Sequence, residues 1–237
     1  MRILVINPNS TASMTAQIEA SARRVAFPGT VIEAVTGEGT PASIEGHADE
    51  AMAVPAMLEL IRAGEARGVD AYVIACFDDP GLAAAREVAR GPVVGICQAG
   101  VQVASTIANR FSIVTTLPRS VPIIEDLVAA YGAGARCRNV RSVNMPVLAL
   151  EQEPETSESR LLHAIRAARD EDGAEAVLLG CAGMSDLCAR LESRSGMPVI
   201  DGVSAAVKLA EGLVGGGYRT SKIGSYDFPR VKAAARC

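Results

Sequence analysis

Short, continuously apolar runs alternate with longer amphipathic stretches from one end of the chain to the other. Apolar runs bounded by Gly, Pro, Asn and Asp read as strands buried on both faces, and the amphipathic intervals as the crossover helices that join parallel strands. The pattern predicts strands over about 2–7, 30–36, 71–76, 93–97, 111–116, 138–143, 176–181 and 198–201, with helices between them. Ser10 or Thr11 is placed to cap a helix reaching about residue 25, and Asp79 before Pro80 reads as a cap followed by a first-turn proline.

The series repeats. Gly68-Val69-Asp70-Ala71-Tyr72-Val73-Ile74-Ala75-Cys76 parallels Gly173-Ala174-Glu175-Ala176-Val177-Leu178-Leu179-Gly180-Cys181. Gly91-Pro92-Val93-Val94 has its counterpart in Gly196-Met197-Pro198-Val199, and Ile3 to Asn7 is echoed by Ser112 to Thr116. The expected architecture is two similar α/β, Rossmann-like halves with parallel sheets related by a pseudo-twofold axis. The first lobe comprises 1–97 plus about 205–237, and the second 98–204. A duplicated pair binds its ligand in the cleft between the halves, where the carboxyl ends of the strands face it.

Composition narrows the partners. A net charge of -4 with no basic block supplies no cation cluster for nucleic acid or an anionic membrane, and no apolar stretch reaches transmembrane length. A small-molecule partner is expected. The chain begins directly in a strand with no signal segment, so a cytoplasmic location is expected, and its six cysteines read as reduced thiols. No Cys-x-x-Cys occurs and only two histidines are present, so neither a metal nor another cofactor is expected.

Inverting a carbon centre by proton transfer needs a base on one face and an acid on the other. Symmetric halves provide opposed groups, and Cys76 and Cys181 occupy the same register in each, at a strand end before a helix start whose dipole and free N–H groups favour a thiolate. A strand cysteine is ordinarily a small buried apolar residue, but structural cysteines have no reason to recur at matching positions. Cys97 lacks a counterpart and reads as structural, as do Cys137, Cys188 and Cys237.

Asn7-Pro8-Asn9-Ser10, Pro41-Ala42-Ser43-Ile44-Glu45-Gly46, Ala75-Cys76-Phe77-Asp78-Asp79-Pro80-Gly81-Leu82 and Gly180-Cys181-Ala182-Gly183-Met184 resemble the motifs of the aspartate/glutamate/hydantoin racemase superfamily over nearly the whole chain. The resemblance is nearest to the hydantoin-type members. It implies that Cys76 and Cys181 are the acid/base thiols of a cofactor-independent racemase acting on a 5-substituted hydantoin ring, and that the enzyme is a homo-oligomer. Amino-acid racemases of the superfamily follow their cysteines with Asn-Thr and Thr-Glu. This chain has Phe77-Asp78 and Ala182-Gly183, which weakens an amino-acid substrate and favours a neutral ring. Allantoin is the near alternative; an arylmalonate-type decarboxylase and a non-catalytic metabolite-binding protein are more distant ones.

Around the thiols, Asn7, Thr115 and Thr116 lie at strand ends suited to ring contacts, while Phe77 and Asp78 can pack on the ring or accept its N–H. Gly183 and the helix start behind Ala182 can donate N–H groups to a developing enolate. Gly37-Glu38-Gly39 does not lead into a phosphate-cradling helix. It opens a loop expected to cover the site, with Ser43 and Ile44 on the substituent and His47 at the surface.

Overall fold

Strands form where the apolar runs lie. In the computed structural model, which describes residues 1–230, they are β1 (Arg2–Asn7), β2 (Val31–Thr36), β3 (Ala71–Ile74), β4 (Val93–Gly95), β5 (Phe111–Thr115), β6 (Cys137–Ser142), β7 (Ala176–Leu179) and β8 (Val199–Asp201). The helices are α1 (Ala12–Val25), α2 (His47–Ala66), α3 (Leu82–Val88), α4 (Ile96–Ile107), α5 (Val121–Ala130), α6 (Ala149–Gln152), α7 (Pro154–Asp170), α8 (Cys188–Ser195) and α9 (Gly202–Gly215). Pairing is parallel throughout, in the orders β2-β1-β3-β4 and β6-β5-β7-β8. The two sheets therefore have one topology used twice, the α/β pair expected from the repeat. The expected first lobe extends to 237, and its last seven residues, Cys237 among them, lie outside the described residues.

Side-chain alternation along the central strands divides the interior into three cores. Ile3, Val5, Ala71 and Val73 of the first sheet share one core with Phe111, Ile113, Ala176 and Leu178 of the second, across α1, α4 and α9. The opposite faces take Leu4, Ile6, Tyr72 and Ile74 against α2 and α3, and Val114, Val177 and Leu179 against α7 and α8. The helices between the sheets are exchanged: α4 follows the first sheet yet packs on β7, whereas α9 follows the second and packs on β3. Each sheet thus rests on a helix from the other half, which fixes the two sets of strand ends against each other.

Two expected caps are made differently. Thr11 precedes α1, but its hydroxyl donates to the Ala42 carbonyl at 2.7 Å and does not cap the helix. Asp79 does not open α3, which begins after Gly81. Its carboxylate instead accepts from the N–H groups of Cys97 (3.1 Å) and Gln98 (2.9 Å), and so caps α4. In the second half Asp201, at the end of β8, caps its own helix α9 through the N–H groups of Val203 and Ser204, both at 3.0 Å. Gly95 is the position matching Asp201, since each ends its strand opposite the last residue of the neighbouring one. A Cβ at Gly95 would lie 2.3 Å from the Asp79 carboxyl group, so glycine there leaves the carboxylate its place.

Candidate active site

β3 and β7 both stop two residues short of a cysteine. Ala75 N–H donates to the Ile6 carbonyl and Gly180 N–H to the Val114 carbonyl, each at 2.8 Å. The chain then turns away, closing with Asp79 N–H on Cys76 O and Met184 N–H on Cys181 O, both at 3.1 Å. The apolar runs continue through the cysteines, but the ladder ends earlier because no neighbouring strand continues beside them.

Cys76 and Cys181 line one cavity between the halves. Each sulfur accepts a backbone N–H from two residues on, Asp78 for Cys76 and Gly183 for Cys181. Protein surrounds both sulfurs, although each cysteine remains open to the cavity. Burial pushes the Cys76 thiol well above its ordinary value, and the Asp78 charge adds to this. Burial likewise pushes Cys181 up to about 12, opposed by the Gly183 N–H and reinforced by Asp78 and Glu45. Burial disfavours the charged form while an N–H donor favours it, so each thiol rests neutral beside a donor aimed at its thiolate.

Of the residues expected around the ring, Ile44, Phe77, Asp78, Thr115, Thr116 and Ala182 line the cavity. Asn7 does not. Its amide donates to Asn9 Oδ1, the Thr11 carbonyl and Thr15 Oγ1, so it holds the turn into α1. The ligand-facing asparagine of that motif is Asn9. Ser43 also stays outside, its hydroxyl donating to Glu45. Gly183 sits behind Cys181 with its N–H toward that sulfur, and it is not among the residues that line the cavity. Thr115 donates to the Gly180 carbonyl at 3.0 Å. Thr116 and Ser120 line the wall, and their hydroxyls have no protein partner among the described residues. His47 is exposed, as expected.

Met14, Ser120 and Val147 were missed as wall residues. Met14 lies on the buried stripe of α1 and reads as core from its spacing, while Ser120 and Val147 come from stretches with no periodic signal. Together with Ile44 and Phe77, Met14 and Val147 make one part of the wall apolar. Among the described residues no Lys or Arg lines the cavity. The loop over 37–46 is tied across the cleft where Glu45 accepts from the Val147 N–H at 2.9 Å, and beside it α1 is tied across as well, Ser13 donating to Glu151 at 2.9 Å. The free space inside is about 30 Å³, room for a water or two.

Among the described residues no group of three or more His, Cys, Asp or Glu is disposed to hold a metal ion, and no helix is long and apolar enough to cross a membrane.

Duplicated α/β lobes whose matching strand ends bring two thiols to one cavity define an isomerase of the two-lobed kind. The chain belongs to the Asp/Glu/Hydantoin racemase family, whose model matches residues 3–210. It is 66% identical to a hydantoin racemase of Rhizobium meliloti over 99% of this chain and 98% of that one. It is 50% identical to a hydantoin racemase of Pseudomonas sp. (strain NS671), over 98% and 93% respectively. The solved allantoin racemase of Klebsiella pneumoniae superimposes with a TM-score of 0.97 at 49% identity, covering 100% of this chain and 96% of that one.

Proposed function

We propose that this protein racemises 5-substituted hydantoins by moving the ring C5 proton between Cys76 and Cys181. The observation that carries the reading is the pair of thiols from opposite lobes, each with its own N–H donor, facing one cavity. One thiolate removes the proton from one face, the electron pair moves onto the adjacent carbonyl oxygen, and the other thiol delivers a proton to the opposite face. The unpartnered hydroxyls of Thr116 and Ser120 are the side chains available to that oxygen. A cavity lined by Asp78 and, among the described residues, by no Lys or Arg suits a neutral ring and would leave a malonate or free amino-acid carboxylate without a cationic partner.

Allantoin is the second reading, supported by the likeness to an allantoin racemase structure. The apolar wall of Met14, Ile44, Phe77 and Val147 favours an alkyl or arylalkyl substituent over allantoin's polar ureido group. The proposal includes the two lobes at 1–97 with about 205–237 and at 98–204. It also includes a cytoplasmic homo-oligomer that works without a cofactor, testable by size-exclusion chromatography and by turnover in the presence of a chelator.

The deciding experiment follows an enantiopure 5-substituted hydantoin in D₂O by NMR and polarimetry. Deuterium entering C5 as rotation is lost supports the reading. Neither change with several hydantoins or with allantoin refutes it, and tight binding without exchange would point to a metabolite-binding protein.

A further inference from the structure

Two buried neutral thiols in a cavity lined, among the described residues, by no Lys or Arg pose a problem: the thiol that is to act as base needs somewhere to send its proton. Asp78 lies on the cavity wall two residues from Cys76 and is about nine-tenths buried. Its N–H is committed to the Cys76 sulfur, while its carboxylate has no hydrogen-bond partner among the described residues. The residue shares the cavity wall with both Cys76 and Cys181, and its charge opposes the ionisation of either thiol.

We propose that Asp78 is a catalytic proton store shared by the two thiols, taking the proton of whichever cysteine is to act as base and returning it when the cycle closes. This rests on the two-thiol reading above. In the forward sense the Cys76 S–H bond breaks and its proton passes to an Asp78 carboxylate oxygen, directly or through a cavity water. The Cys76 thiolate then takes the C5 proton, and Cys181 S–H gives its proton to the other face. Cys181 is left as the thiolate, and the Asp78 proton passes to it. Both thiols are neutral again, Asp78 is ionised, and the net charge of the site has not changed at any step.

The surroundings support the role. Neutralising Asp78 removes the largest charge opposing the Cys76 thiolate. Burial, then the facing charges of Glu50 and Asp79, raise the Asp78 carboxyl to about 7, within reach of neutral pH. Glu50 projects from the first turn of α2 with its Oε1 buried and without a hydrogen bond, flanked by Asp49 and an exposed His47. Glu45 faces Cys181, and Arg86 acts on Asp79. Glu50 is thus a positioning residue that holds Asp78 receptive to a proton.

The repeat adds an independent argument. Asp78 and Gly183 occupy equivalent places, each two residues past its cysteine and each donating its N–H to that sulfur. A Cβ at Gly183 would meet nothing closer than 3.5 Å, so glycine is not imposed there by contact at that atom. Only one half carries a carboxylate at this place, as a single shared store requires, and a second one beside it would oppose the ionisation of the first.

The test compares the wild type with Asp78→Asn and Glu50→Gln in polarimetric kcat/KM profiles across pH, and in the pH dependence of Cys76 alkylation in the ligand-free Cys181→Ser chain. The wild-type profile should rise to a plateau with a midpoint near 7, the Asp78 value. Asp78→Asn should lose at least about 10²-fold at neutral pH and then climb steadily into the alkaline range as the thiol ionises to solvent. Glu50→Gln should move the midpoint to lower pH, a shift that a purely structural role for Glu50 would not produce. An Asp78→Asn profile that parallels the wild type, in turnover or in alkylation, overturns the proposal. A wild type that racemises no hydantoin and no allantoin refutes the racemase reading, while the alkylation profiles still decide whether Asp78 controls the Cys76 proton.

Discussion

The cap that Asp79 gives α4 can be tested by filling the space it occupies. Gly95 has φ -85 and ψ 145, a conformation open to any residue, so Gly95→Ala introduces no backbone strain. Its new methyl would lie 2.3 Å from the Asp79 carboxyl carbon and one oxygen, and the carboxylate has to move. It then gives up the N–H groups of Cys97 and Gln98 and the Tyr131 hydroxyl, which it binds at 2.7 Å. Loss of a helix cap costs about 1 kcal/mol, and stranding a buried hydroxyl about 1–3 kcal/mol. Gly95→Ala should therefore cost about 2–4 kcal/mol in urea unfolding at fixed protein concentration with unchanged m. In an Asp79→Ala background the carboxylate is gone and the methyl has room, so the same substitution should cost about zero. The cycle should show a coupling of about 2 kcal/mol or more. Moving the cap to the position that Asp201 uses in the other half, as Gly95→Asp with Asp79→Ala, should recover about 1 kcal/mol over Gly95→Ala with Asp79→Ala. If Gly95→Ala costs the same in both backgrounds to within about 0.5 kcal/mol, the trans cap does not hold α4 and the account is wrong.

Cys76→Ala and Cys181→Ala should each abolish racemisation while circular dichroism and urea midpoints stay near wild type; full activity in either would end the two-base mechanism. Ile44→Ala and Val147→Ala should lower kcat/KM for hydantoins with large apolar substituents by about 5–30-fold, from about 1–2 kcal/mol of lost apolar contact. They should have little effect on the 5-methyl compound, and an equal loss on both would place the substituent elsewhere. Burial tends to raise the Asp172 carboxyl, but Arg141, Asn139 and Ser112 outweigh it and hold it below the ordinary carboxylate value. A lowered folded value contributes stability above the unfolded pKa and loses it as pH falls through the folded one. Asp172→Asn should thus cost about 1–3 kcal/mol at neutral pH, and the gap to wild type should shrink on acidification below about 4.

The fold was legible because parallel strands covered on both faces leave long apolar runs, and each expected strand formed within a few residues of its place. The repeat made the cysteines legible, since matching register in two copies is a long-range signal written in local sequence. What sequence did not show depends on contacts between distant residues. Asp79 before Pro80 has the local grammar of a cap, but the helix it caps begins at Ile96, and the tyrosine that binds it is Tyr131. Asn7 and Asn9 are indistinguishable as types. Strand alternation sends Asn7 toward Thr15, and the turn after Pro8 brings Asn9 to the cavity.

These misses share a cause. Duplication keeps what each half must do alone, namely the strand ladders and the N–H donor behind each thiol, and those features repeat in the sequence. It frees what the two halves do together. Asp201 caps from the strand end in one half, whereas the other half places glycine at that position and imports the carboxylate from the loop after Cys76. That exchange ties the Cys76 loop to α4, the helix that packs on the opposite sheet. A displacement of one thiol is thereby resisted by the lobe that carries the other. For the two-thiol reaction proposed above, this is the geometry that has to be held, and it resides in the differences between the copies as much as in their likeness.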